Sequence, residues 1–219
     1  MYKKIWGLRQ LEKMGLPYPP YQVIDITGDE PVDIEEYALR KIKEVSIPHI
    51  KDDRIGVTIR VSMPGTLDKL AKHGGLHVTE EKEVLKRVLE KYQQYKPDGK
   101  IVVQHTVDAR CSGTILKEHR DMIVETIFGD APPLLEGESI NYETWIFLLK
   151  PRKWKKEKAY TYGDREVTML TPSDIQMLEG YSKFLFSNTY LEWSISKSGK
   201  LYFYEYLKLK NGTYLLNLG

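Results

Sequence analysis

The 219-residue sequence predicts an α+β protein of two lobes, with mainly antiparallel sheets and flanking helices. Three observations carry this. Residues 1–97 hold three segments with apolar side chains at helical spacing, interleaved with strand-like runs. Pro97-Asp98-Gly99 then breaks the chain, which predicts lobes at 1–97 and 98–219. Beyond it, strand-like runs follow one another across turn residues instead of helices, and that favours antiparallel pairing.

The first predicted helix has Ile5, Leu8, Leu11 and Met14 on one face, with Gly15 at the left-handed C-terminal cap. Pro17, Pro19 and Pro20 force an extended path into a strand over 21–26. Thr27, Gly28 and Asp29 mark a turn. Asp33 caps a second helix, with Glu36 three residues on, and its stripe is Ile34, Tyr37, Ala38 and Ile42. Residues 55–62 alternate as a strand and run into the loop Met63-Pro64-Gly65. Thr79 opens a third helix bearing Val84, Leu85, Val88, Leu89 and Tyr92.

In the second lobe, 101–107, 113–116, 122–128 and 144–149 read as strands. Residues 150–158 form a basic run around Trp154. Thr171-Pro172-Ser173-Asp174 starts a helix that buries Ile175, Leu178 and Phe184 or Leu185. The end reads as a meander: 191–196, a turn at Ser198-Gly199, 201–209, a turn at Asn211-Gly212, then 214–218.

Composition narrows the function classes. Lys and Arg total 33 against 31 Asp and Glu, a formal net charge of +2, so a strongly basic nucleic-acid binder is not indicated. The one cysteine, Cys111, excludes a disulfide framework within the chain and a zinc site built from several cysteines; a small buried residue is its expected role. No apolar run approaches the roughly 20 residues of a membrane helix. No signal peptide is read, and a cytoplasmic location is expected. Abundant Lys and Glu with sparse Gln and Asn are a compositional hint of a thermophile.

The phosphate loop Gly-x-x-x-x-Gly-Lys-Ser/Thr and Gly-x-Gly-x-x-Gly are both absent. His73 and His77 are separated by Gly74 and Gly75, which break any helix that would aim both at one metal, so they read as loop histidines. The basic run around Trp154 could stack on and neutralise a phosphate chain, but an edge-protecting lysine cluster is the preferred reading.

Other stretches carry more chemistry. In Arg60-Val61-Ser62-Met63-Pro64-Gly65 a fixed cation stands beside a loop whose amides can turn outward, an arrangement suited to phosphate oxygens. Gln104 and Asp108 interrupt an otherwise apolar strand, and the bland reading is a half-buried strand with its polar face wet. Counting from the Ser198-Gly199 turn brings Glu192 and Glu205 near one another across a hairpin. Either a magnesium ion or pairing with Lys200 or Lys208 would offset their repulsion.

Taken in order, these segments resemble the ATP-grasp-type nucleotide-binding domain of phosphoenolpyruvate synthase and pyruvate phosphate dikinase. Lys4-Ile5-Trp6-Gly7-Leu8 through Gly15-Leu16-Pro17-Tyr18-Pro19-Pro20 is similar to that family's opening. Ser62-Met63-Pro64-Gly65, followed by Asp68, is similar to its Ser-Met-Pro-Gly loop. Val103-Gln104 with Ser112-Gly113 resembles its Val-Gln…Ser-Gly strand pair, and Glu125 to Gly129 and Gly137-Glu138 resemble a later Gly-rich segment. Leu191-Glu192-Trp193 and Gly199-Lys200-Leu201-Tyr202 look like its Ile-Glu-Trp…Gly-Lys-Leu-Tyr ending.

The resemblance implies an ATP-grasp-like fold and an ATP-dependent phosphotransferase of the kinase or dikinase kind, using ATP and Mg2+. Lys4 and Arg60 would neutralise nucleotide phosphates and act in catalysis. Ser62, Met63 and Gly65 would cover the phosphates, Gln104 would lie near the base, and Glu192 and Glu205 would hold the metal. The acceptor would be a small molecule or a separate phosphocarrier protein. The sequence departs from the family in two places. Leu207 stands where the family has an arginine, and Gly129-Asp130-Ala131-Pro132 replaces Gly-x-Gly-Glu. The resemblance occupies nearly the whole chain, leaving no stretch for the family's histidine-bearing mobile domain or pyruvate barrel. Full synthase or dikinase activity by this chain alone is therefore not expected. A non-catalytic nucleotide- or partner-binding module is the competing expectation.

Overall fold

The computed structural model describes residues 1–27, 33–45, 53–65, 74–118, 121–130, 141–148, 150–162 and 165–209. The class is α+β with mainly antiparallel sheets and flanking helices, as the alternating runs predict. The chain divides into two compact units: Met1–Arg9 with Pro19–Asp108, and Gln10–Tyr18 with Ala109–Gly219.

Helix α1 (Lys3–Lys13) begins in the first unit and ends in the second. Ile5, Leu8 and Leu11 are buried, and Gly15 has a φ of +66°, the left-handed cap the sequence predicts. In the first unit follow β1 (Tyr21–Asp25), α2 (Ile34–Val45), β2 (Arg54–Ser62), β3 (Gly74–Val78), α3 (Glu81–Tyr95) and β4 (Lys100–Val107). The Asp33 carboxylate accepts from the Glu36 amide at 2.9 Å, so α2 starts where its cap predicts. The cap position of α3 is Glu80, not Thr79, and it makes no side-chain cap bond.

The four strands form one sheet in the order β1-β4-β2-β3. One face packs Ile24, Val57, Ile59, Ile101 and Val103 against Ala38 and Ile42 of α2 and Val84, Val88 and Tyr92 of α3. Because β4 pairs with both β1 and β2, it belongs to the first unit. The division between units therefore falls at Asp108/Ala109, eleven residues beyond the 97/98 boundary read from Pro97-Asp98-Gly99. A turn signal marks where a helix stops, not where a sheet is complete.

The second unit holds β5 (Ala109–Lys117), β6 (Asp121–Phe128), β7 (Glu143–Leu148), β8 (Lys153–Lys158), β9 (Tyr160–Tyr162), β10 (Arg165–Val167), α4 (Pro172–Ser182), β11 (Thr189–Ser196) and β12 (Leu201–Lys208). Six strands make an antiparallel sheet ordered β12-β11-β5-β6-β7-β8, while β9 and β10 form a separate two-stranded ribbon. Cys111, Ile115, Met122, Val124, Leu191, Trp193 and Phe203 are buried along the strands, and Tyr181 of α4 stacks edge-on against Phe203 at 5.6 Å. Thr171 and Asp174 form a reciprocal capping box at the start of α4, with Pro172 in the first turn. Of the two candidates after that helix, Leu185 is buried and Phe184 is 45% exposed. The basic run forms β8, an edge strand with Lys153 and Lys155 exposed, which suits an edge guarded by charge. The turn at Asn211-Gly212 and the strand over 214–218 lie outside the described residues. Strands β3, β9 and β10 are short and carry too little alternation to have been read from sequence.

Candidate functional site

In the first unit the sheet face opposite α2 and α3 is polar. Register places Thr58 opposite Gln104, Arg60 opposite Val102 and Ser62 opposite Lys100. Directly opposed residues share a face, and so do residues two apart along a strand. Arg60, Ser62 and Gln104, which the sequence singled out separately, therefore lie on one face. Thr58 and Thr106 hydroxyls meet on it at 2.7 Å.

This face is not wet, contrary to the bland reading of Gln104. Gln104 is 1% exposed, and its buried side-chain Nε2 has no hydrogen-bond partner among the described residues. The Ser62 hydroxyl is buried and unpartnered in the same way. Buried polar groups are nearly always paired, so each of these orphans calls for an explanation. The Ser62-Met63-Pro64-Gly65 loop is also tied to the chain start. Tyr2 bridges to Pro64, and the Gly65 amide donates to the Met1 carbonyl at 3.3 Å. Lys4, in the first turn of α1 and 4% exposed, thus follows directly on the residues that hold the loop. Gly65 adopts φ +61°, which a side chain would strain. His77 lies in β3 instead of a loop, and His73 lies outside the described residues.

In the second unit Glu192 stands directly opposite Glu205 in the β11–β12 register. The two carboxylates therefore leave the same sheet face, near one another as the sequence predicts, but through a bulge between Glu192 and Trp193 and not through an even count from the turn, which would set Glu192 opposite Tyr204. The row continues across the sheet: Glu192 opposes Thr114, Thr114 opposes Glu125, Glu125 opposes Thr144, and Thr144 opposes Lys158. The Thr114 hydroxyl donates to the Glu125 carboxylate at 3.2 Å. Burial pushes the Glu125 carboxyl above its ordinary range, partly offset by the Thr114 hydrogen bond and the Lys158 charge. Tyr190, two residues before Glu192, donates to the Glu192 carboxylate at 3.5 Å. Burial, then the charges of Glu192 and Glu205, raise its phenol pKa, with Glu125 adding a smaller push.

Thr114, Glu125 and Tyr190 are the site-face residues sequence reasoning missed as functional candidates. The signal for Glu125 was available: it is the one acid inside the apolar run Met122-Ile123-Val124-Glu125-Thr126-Ile127-Phe128. Leu207 opposes Tyr190, so an apolar residue stands on this face beside Glu205. Among the described residues no three His, Cys, Asp or Glu side chains gather as a metal-holding group. Cys111 is buried, and desolvation pushes its thiol up to about 12, which suits a packing residue and not a nucleophile. No helix among the described residues is long and apolar enough to cross a membrane.

No protein-family model and no curated protein matches the chain. Among solved structures it is similar to D-alanyl-alanine synthetase A from Vibrio cholerae, at 12% identity and a TM-score of 0.49, over 94% of this chain and 54% of that one. It is similar to PurK, an N5-carboxyaminoimidazole ribonucleotide synthetase, in its ADP complex, at 13% identity and a TM-score of 0.48, over 93% and 44% of the two chains. A RiPP-associated ATP-grasp ligase from Chryseobacterium gregarium, in complex with ADP and a leader and core peptide, matches at 16% identity and a TM-score of 0.43, over 91% and 49%. The chain spans about half the length of these solved structures.

Proposed function

We propose that this chain is a nucleotide-binding domain of the ATP-grasp class that binds ATP with magnesium and transfers a phosphoryl group to a small molecule or a separate phosphocarrier protein. One observation carries the reading: Glu192 and Glu205 oppose each other directly on one sheet face. Like charges so placed destabilise a sheet unless something compensates. Magnesium takes hard oxygen ligands and is commonly held by one or two carboxylates together with substrate phosphates, so the donor pair fits it. The same rule makes cation binding depend on the nucleotide.

The roles of the other residues follow from their chemistry. Lys4 and Arg60 would neutralise phosphate oxygens, with the amides around Ser62, Met63 and Gly65 donating to them. The Gln104 amide, buried and unpartnered, would donate to the base, which gives its orphaned N–H a partner. Magnesium, when bound, would supply charge neutralisation and alignment of the phosphates. Positioning and charge then account for the lowered barrier. A cytoplasmic setting goes with this reading.

A ligand that binds only the native state raises the melting temperature. ATP should therefore raise it in a magnesium-dependent way, and Glu192→Gln and Glu205→Gln should each remove the magnesium-dependent part. No shift at millimolar nucleotide overturns the proposal. The presence of Leu207 on the carboxylate face favours a second reading, a non-catalytic module derived from the same family. Binding without ATP turnover in the presence of candidate acceptors would select it.

A further inference from the structure

We propose that Glu125 is a positioning residue for the divalent cation: held by the Thr114 hydroxyl in the same cross-sheet row as Glu192, its carboxylate accepts a hydrogen bond from water bound to the ion and does not ligate it. This rests on the nucleotide and magnesium reading above and deepens it.

Geometry separates the two roles. Glu205, Glu192, Thr114 and Glu125 occupy four successive strands, one residue on each, in a single cross-sheet row. Neighbouring strands lie roughly 4.8 Å apart, so the Glu125 backbone is roughly 10 Å from that of Glu192 and roughly 14 Å from that of Glu205. A carboxylate that far from Glu205 cannot share its ion directly, in keeping with the lack of a three-acid cluster among the described residues. A metal-bound water would bridge the gap by donating to the Glu125 carboxylate.

Glu125 is also underused by the protein. It is 5% exposed, yet among the described residues its hydrogen bond comes from Thr114 alone, to Oε2. An ionised carboxylate can accept about four hydrogen bonds. The nearby cation, Lys158, rests over the Tyr142 ring at 3.5 Å and acts on Glu125 through charge. Carboxylates that hold a metal's bound ligands from outside its coordination shell typically change metal affinity by about 10-fold to 100-fold.

The test uses the full chain, Mn2+ as the cation and a non-hydrolysable ATP analogue, with free Mn2+ counted by electron paramagnetic resonance. Glu125→Gln should weaken Mn2+ binding about tenfold while leaving metal-free binding of the analogue unchanged. Thr114→Val should weaken Mn2+ binding in the same direction and serves if the Gln variant does not fold. Wild-type Mn2+ affinity in both Glu125→Gln and Thr114→Val overturns this inference alone. Failure of the unaltered protein to bind Mn2+ with the analogue overturns the magnesium reading and this inference together.

Discussion

Gly113 is where one added carbon should do the most damage. It lies in β5, between β11 and β6, opposite Trp193 on one side and Thr126 on the other. A Cβ there would stand 1.8 Å from the Glu125 carbonyl oxygen, 2.8 Å from its carbon and 3.0 Å from Trp193. Comfortable contact needs about 3.5 Å, so more than an ångström must be found. The obstacle is backbone held in a ladder, which no rotamer change can clear. Overpacking commonly costs about 1–3 kcal/mol, and a clash with a central strand belongs at the top of that range. For a chain of this size about 3 kcal/mol lowers the melting temperature by roughly 6–12 °C. Urea denaturation of Gly113→Ala, followed by tryptophan fluorescence, should show it, with Lys153→Ala on the exposed edge strand as the control. A loss below about 1 kcal/mol with an unchanged spectrum would refute the close-approach argument. The same variant should lose magnesium-dependent stabilisation by ATP, because the strand that must move carries Glu125.

Other outcomes follow from single groups. Burial raises the Glu125 carboxyl pKa in the folded state, so the stability penalty is absent below the unfolded value and appears as pH rises through the folded one. Glu125→Gln should therefore stabilise the second unit at neutral pH and make little difference near pH ~4; equal denaturation midpoints at both pH values would sink this. Lys117 donates to the Ser182 and Leu185 carbonyls at 2.8 and 2.5 Å, beside the end of α4. Allowing for its partial exposure, Lys117→Met should cost about 1–2 kcal/mol in urea, and an unchanged midpoint would show that water serves those carbonyls equally well. Gln104→Met removes an orphaned buried amide, so the free protein should be as stable or more so while the ATP-induced thermal shift shrinks. A full shift in that variant would remove Gln104 from the site.

Local chemistry made much of this architecture legible. The α1 stripe with Gly15, the Asp33 cap of α2 and the Thr171 box of α4 are each decided within one or two turns of chain, and short-range hydrogen bonding reports them faithfully. The closeness of Glu192 and Glu205 was readable because a short turn joins their strands, but their direct opposition was not: the pairs next to the turn would set Glu192 opposite Tyr204, and a bulge between Glu192 and Trp193 moves it to Glu205. Reading failed where the decision was long-range. Nothing near Gln104 says that its strand face is buried, and nothing near Thr114 says that it stands between two acids from other strands.

The sequence by itself thus determined the helices, the longer strands and the hairpin that brings Glu192 and Glu205 near one another, while the bulge that makes them face is a feature of the folded sheet. Only the tertiary structure decided that β4 completes the first sheet, that the Gln104 amide is buried without a partner, and that Glu125 joins the acidic row through Thr114. The physical reason is that strand order and burial are set by contacts between residues far apart in the chain, which no local period or cap encodes.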